Sequence, residues 1–62
     1  MLYKTIMLYD IVKNVEEARK RFDSMVNQAI KEGYEPVGGV SFQIRRSPNY
    51  YYCDFALGVI KK

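Results

Sequence analysis

Ten consecutive residues, Lys31-Glu32-Gly33-Tyr34-Glu35-Pro36-Val37-Gly38-Gly39-Val40, leave this chain few ways to fold. Gly33 suits the left-handed position just past a helix end, where a Cβ would crowd the backbone. Pro36 keeps the helix from resuming, because the residue before a proline is pushed out of the helical region. Gly38-Gly39 then opens a β-branched and aromatic run, the signature of a bulge or a close backbone approach at a strand start. The stretch is therefore a helix-to-strand join, and the rest of the sequence can be laid out on either side of it.

Upstream, Leu2 to Asp10 alternates as a strand, with Ile6 and Leu8 on one side and Thr5, Met7 and Tyr9 on the other. Asn14 has the chemistry of an N-cap, and Glu17 stands at the third helical position to complete a capping-box-like pair. Val15, Ala18, Phe22, Met25, Val26, Ala29 and Ile30 recur at three- and four-residue spacing, which predicts a helix over Val15 to Lys31 with one apolar face. Glu16 with Lys20, and Glu17 with Arg21, stand four apart in the favourable order.

Downstream, Val40, Phe42 and Ile44 alternate with Ser41, Gln43 and Arg45, the pattern of a half-buried strand. Arg46-Ser47-Pro48-Asn49 has turn chemistry and closes a hairpin. Tyr50 to Lys61 is the last strand, with Cys53, Phe55, Leu57 and Val59 on one face and Tyr52, Asp54, Ala56 and Gly58 on the other. Its apolar run is the most continuous of the three, which places it centrally and antiparallel to both neighbours. The expected fold class is α+β: one small β-α-β-β domain over residues 1–62, a three-stranded, mainly antiparallel sheet with one helix packed on one face.

Size limits what such a domain achieves alone. A 62-residue chain buries about 60 % of the surface that its unfolded form exposes. Small domains commonly add disulfides, a metal or self-association. Cys53 is the only cysteine and there is no histidine, so an internal disulfide is excluded and metal coordination is disfavoured. Homo-oligomerisation is the remaining expectation. The lone cysteine points to a reducing, cytoplasmic setting. Lys4, Asp10 and Asp54 interrupt every apolar stretch well short of a membrane-spanning length, and no signal peptide is expected.

One helix covers one sheet face. The opposite face carries Thr5, Met7, Tyr9, Ser41, Gln43, Arg45, Tyr52 and Asp54, too aromatic for an indifferent surface and too polar for a dry core. Such a mixture suits a subunit interface, a ligand site, or both. Enzyme chemistry finds little support. Without histidine the usual general base near neutral pH is missing. Cys53 lies within an apolar alternation without a histidine partner, and Gly38-Gly39 lacks the pattern of a phosphate loop. Arg19-Lys20-Arg21 reads as a solvated helix face. Arg45-Arg46, followed closely by Tyr50-Tyr51-Tyr52, is the sharper signal, because guanidinium forks grip phosphate and tyrosine rings stack on bases.

The Tyr3-Lys4 strand start, the helix ending in Asn27 to Ile30, and the Lys31–Val40 join together resemble small bacterial and phage domains of unknown function. Those domains read Tyr-Lys, helix, Glu-Gly-Trp, Gly-Gly-Val and a tyrosine-rich last strand. The likeness covers nearly the whole chain, with Tyr34 where the family usually places tryptophan. It implies the strand–helix–strand–strand fold and carries no catalytic residues with it. In size, oligomeric habit and arginine–tyrosine pairing the chain is also similar to phage anti-defence sponges, which bind nucleotide signals between subunits without cleaving them.

The functional expectation is a non-enzymatic homo-oligomer, without cofactor or metal, that sequesters an anionic, nucleotide-like small ligand. Arg45 and Arg46 would hold phosphate, Tyr50, Tyr52 and Tyr9 would stack, and Gln43 and Ser41 would add hydrogen bonds. The alternative is a protein-interaction or inhibitor module acting through the exposed sheet face or the edge of the second strand. Nucleic-acid binding is a third reading, opposed by a net charge of only +3 and by interleaved acids.

Overall fold

Local chemistry sets the ends of the single helix. In the computed structural model, which describes residues 1–62, helix α1 spans Val15–Lys31. Asn14 is extended at its N-cap, and its side-chain oxygen accepts the Glu16 N–H at 3.0 Å. The expected capping box with Glu17 does not form: the Glu17 N–H donates to the Asn14 backbone carbonyl rather than to its side chain, and the Asn14 N–H donates no bond to the Glu17 carboxylate. At the other end Gly33 adopts φ +98°. The Gly33 N–H donates to the Ile30 carbonyl and the Tyr34 N–H to the Ala29 carbonyl, the two bonds of a Schellman motif.

Strand β1 (Leu2–Val12) precedes the helix, and β2 (Glu35–Arg46) and β3 (Tyr51–Lys61) follow it. The sheet order is β1-β3-β2, with β3 antiparallel to both neighbours, as the continuous apolar run of β3 predicts. β1 runs two residues beyond Asp10, and β2 starts at Glu35 rather than at Val40. Pro36 is accommodated because β2 is an edge strand, where a missing N–H need not break a ladder. The pairing of β2 with β3 is interrupted between Val37 and Ser41, where Gly38 takes φ +74°. Val37 lies opposite Gly58 and Ser41 opposite Ala56, so β2 accommodates four steps against two on β3. Ser47–Tyr50 forms the hairpin loop, tied by a 2.8 Å bond from the Ser47 N–H to the Tyr50 carbonyl.

The helix packs on the face carrying Ile6, Val12, Cys53, Phe55, Leu57 and Val59, which with Ala18, Phe22 and Ala29 are the buried residues of the chain. Phe22 stacks on Phe55 with ring centroids 5.2 Å apart. At the far end Tyr34 closes the core, with the ammonium groups of Lys4 and Lys61 over its ring at 4.8 and 5.6 Å.

The second strand departs from expectation. Val40, Phe42 and Ile44 do not form a buried row: Phe42 is 65 % exposed, and all of β2 is exposed. Helix α1 lies over β1 and β3. A helix about 10 Å across cannot also span a third strand set a further ~4.8 Å out. Met25 and Ile30, at the margins of the helix's apolar stripe, are likewise exposed. The acidic pairings along the helix also differ. Arg21 reaches across to Asp10 of β1 instead of Glu17, and Glu16 meets Arg19 at 3.6 Å instead of Lys20.

Candidate functional site on the open sheet face

Strand register sets the open face out as a grid. Ile11, Tyr52 and Arg45 form one row across β1, β3 and β2; Tyr9, Asp54 and Gln43 form the next, and Met7, Ala56 and Ser41 the third. Neighbours within a row have Cβ atoms about 5 Å apart, and rows are about 7 Å apart. The alternation of β2 survives its irregularity, so Ser41, Gln43 and Arg45 share this face with Tyr9 and Tyr52, as the sequence predicts.

Tyr9, Gln43, Arg45, Arg46, Tyr52 and Asp54 line one depression of about 440 Å³ at the hairpin end of the sheet. It brings together five of the seven expected ligand-binding residues. Ser41 lies one row away, in an adjoining hollow with Met7, Gln43, Asp54 and Ala56. Tyr50 is not among the lining residues. It sits in the hairpin loop, where its N–H donates to the Ser47 hydroxyl at 3.2 Å. Arg46 is opposite Tyr51 in the register, on the alternate parity, and reaches the depression at its rim beside the loop.

Charge within the depression is mixed. Arg45 and Arg46 form no salt bridge, the chain's two ion pairs being Arg19–Glu16 and Arg21–Asp10. Asp54 occupies the middle of its row between Tyr9 and Gln43. An anion held here would face two guanidiniums from β2 and one carboxylate from β3. Tyr9 is 65 % exposed and Tyr52 half-buried, so the face of at least one ring is available to a planar group. Asp54 belongs to the site although its charge argues against it on sequence grounds; strand parity alone is the signal that finds it. Ile11, beside Tyr52, was beyond the expected end of the first strand, and the β-branched pair Ile11-Val12 is the signal for it.

Cys53, immediately behind Tyr52, faces the other way. Its side chain is fully buried, and burial, with a smaller contribution from the Asp10 charge, pushes its thiol above the ordinary value. It is held protonated and enclosed, which suits packing rather than nucleophilic attack. No group of three or more histidine, cysteine, aspartate or glutamate side chains is arranged to hold a metal ion, and no helix is long and apolar enough to cross a membrane. A larger hollow, about 710 Å³, runs between α1 and β1 and is lined by Lys4, Met25, Gln28 and Glu32 among others; it brings no like-charged pair or aromatic ring together.

Comparison of the chain with family models, curated proteins and solved structures gives no match, so the reading of this site rests on its own geometry.

Proposed function

We propose that this chain is a non-enzymatic, self-associating binding protein that takes an anionic, nucleotide-like small ligand in the depression on its open face. The observation that carries the reading is the meeting of Arg45, Arg46, Tyr9, Tyr52 and Gln43 in one hollow, with both guanidiniums free of ion pairs. A guanidinium offers a planar fork of donors to phosphate, and a tyrosine ring offers a stacking surface to a base. The hollow is large enough for a small ligand. With no histidine in the chain and its one thiol buried on the opposite face, the hollow favours holding a ligand over transforming it. Sequestration of a nucleotide signal, in the manner of phage sponges, is the biological role this chemistry suits.

Thermal-shift measurement with cyclic dinucleotides and ADP-ribose derivatives tests the reading. Stabilisation that grows with ligand concentration supports it. Absence of any shift across the panel removes its main support, and turnover of a nucleotide would replace it with an enzyme.

A second reading, a protein-interaction or inhibitor module, is favoured by the exposed Phe42 ring on the edge strand. Replacing Arg45 and Arg46 by alanine separates the two. Ligand binding is lost under the first reading, whereas a largely apolar protein contact is only trimmed under the second.

A further inference from the structure

The edge of β2 combines unusual exposure with a sequence that complements itself. A folded monomer of 7.3 kDa exposes about 4,200 Å² by the size scaling of globular proteins. This chain exposes 4694 Å². It is also drawn out, with a radius of gyration of 12.7 Å against about 10.6 Å for a compact chain of its length. The excess of about 500 Å² per protomer amounts to about 1,000 Å² between two copies, the lower bound for a specific interface and the range of a weak, reversible dimer.

Exposed apolar side chains lie on both edge strands, and on β2 they fall on the helix side of the sheet, where α1 does not reach them. Val40, Phe42 and Ile44 are 46, 65 and 40 % exposed. With Val15, Phe22 and Phe55 they line a groove of about 400 Å³ between the edge strand and the helix. The two sheet edges are guarded unequally. β1 has an uncharged run of its own, Thr5 to Tyr9, but it lies beneath α1, with Ile6 and Val12 buried and Asp10 tied to Arg21. β2 has Pro36 and the irregularity between Val37 and Ser41 in its first half, whereas Ser41 to Ile44 carries no charge, proline or bulge.

We propose that this free edge pairs antiparallel with the same edge of a second copy, about a two-fold axis at Gln43, to make one continuous six-stranded sheet. That register uses the whole regular run from Ser41 to Arg46, together with Val40 at the border of the irregularity. Gln43 meets its own counterpart, Phe42 meets Ile44 of the second copy, Ser41 meets Arg45, and Val40 meets Arg46. Each pair shares a sheet face, so the Phe42 and Ile44 side chains of both copies form one apolar patch in the gap between the two helices. Centring the axis on Phe42 would drive Arg46 against Gly38, whose φ of +74° breaks the extended run. Centring it on Ile44 would bring the two Arg45 side chains to diagonal positions, where like charges repel. With the axis at Gln43 the two Arg45 residues stand four positions apart, about 13 Å. Each then has Ser41 of the second copy beside it, at the margin of the depression on the open face. The pairing gives an interface to the self-association named above and stands whether or not the ligand reading holds.

Sedimentation of the ligand-free protein tests the pairing, with cross-linking to fix its register. A dimer is expected at high micromolar concentration. In a Cys53→Ala background, Gln43→Cys should give an interchain disulfide on oxidation, whereas Thr5→Cys, on the opposite edge strand, should not. Phe42→Glu should sediment as a folded monomer, with folding checked by circular dichroism. Because Phe42 and Arg45 lie on opposite faces, ligand binding by that variant is a separate measurement of the other reading. A wild-type monomer, or a dimer that survives Phe42→Glu and cross-links through Thr5→Cys in preference to Gln43→Cys, overturns the proposal. Should Phe42→Glu fail to fold, the two cysteine variants decide alone.

Discussion

Asp10 on β1 and Arg21 on α1, eleven residues apart in sequence, form the ion pair that ties the helix to the sheet. The Asp10 side chain is 19 % exposed and that of Arg21 58 %. The carboxylate also accepts the Ile11 N–H at 3.0 Å, which holds it in place for the guanidinium. Because one partner is largely solvated, a double-mutant cycle of Asp10→Asn and Arg21→Ala in urea should give a coupling energy of about 0.5–1 kcal/mol. It should weaken as salt rises.

Arg45 and Asp54 act in opposite senses on any anion in the depression. Arg45→Ala should weaken binding of a phosphate-bearing ligand about tenfold or more, with stability changed by no more than about 0.5 kcal/mol, since its side chain is exposed and unpaired. Asp54→Asn should strengthen binding several-fold by removing the one carboxylate that lines the hollow. Isothermal titration of the two variants checks both directions. A loss of affinity in Asp54→Asn would place the anion elsewhere or make the ligand a cation.

Cys53 links stability to alkaline pH. Burial raises the thiol above its ordinary value of 9.0 in the folded chain, so the unfolded chain gives up that proton at lower pH than the folded one. Its contribution is therefore fully present below about pH 9 and is lost as pH rises from there through the raised folded value. Cys53→Ala should be less stable than the parent at neutral pH because of the space it leaves, but with a flatter decline above pH 9. Urea melts across that range test the slope. In the folded parent the thiol should resist iodoacetamide until the chain unfolds.

The glycines of the helix-to-strand join should divide sharply under alanine substitution. Gly33 at φ +98° and Gly38 at φ +74° hold conformations that a Cβ disfavours, so each substitution should cost about 1–2 kcal/mol. Gly33→Ala also presses the new Cβ to 3.3 Å from the Lys61 side chain, which can yield. Gly39 has neither a positive φ nor any atom within 4 Å of a new Cβ. Gly39→Ala should be neutral or raise stability by a few tenths of a kcal/mol through the unfolded chain. Thermal melts of the three variants give the ranking.

These contrasts show what the sequence could and could not reveal. The helix ends were legible because Asn14 and Gly33 act through hydrogen bonds and backbone angles within a few residues of themselves. The strand order was legible because Cys53 to Ile60 is apolar on nearly every position, as a central strand requires. The open-face grid followed from alternation alone, and it placed Arg45, Gln43 and Tyr9 together. The partner of Arg21 was not legible, because the local spacing to Glu17 is favourable and Asp10 is brought near only by packing. The exposure of Phe42 was hidden for a related reason. Alternation in β2 records which face an apolar residue takes, not whether the helix is wide enough to cover it.

The irregularity between Val37 and Ser41 has a consequence for how this chain can change in length. It holds two more residues than its partner strand spans, an even number. Loss of both Gly38 and Gly39 would restore a regular ladder and leave Ser41, Gln43 and Arg45 facing as they do now. Loss of one would turn those side chains toward the helix and bring Phe42 and Ile44 onto the open face. Length variation at this join is therefore tolerable in pairs, and a single-residue deletion acts as an inversion of the sheet's two surfaces from Ser41 to the hairpin.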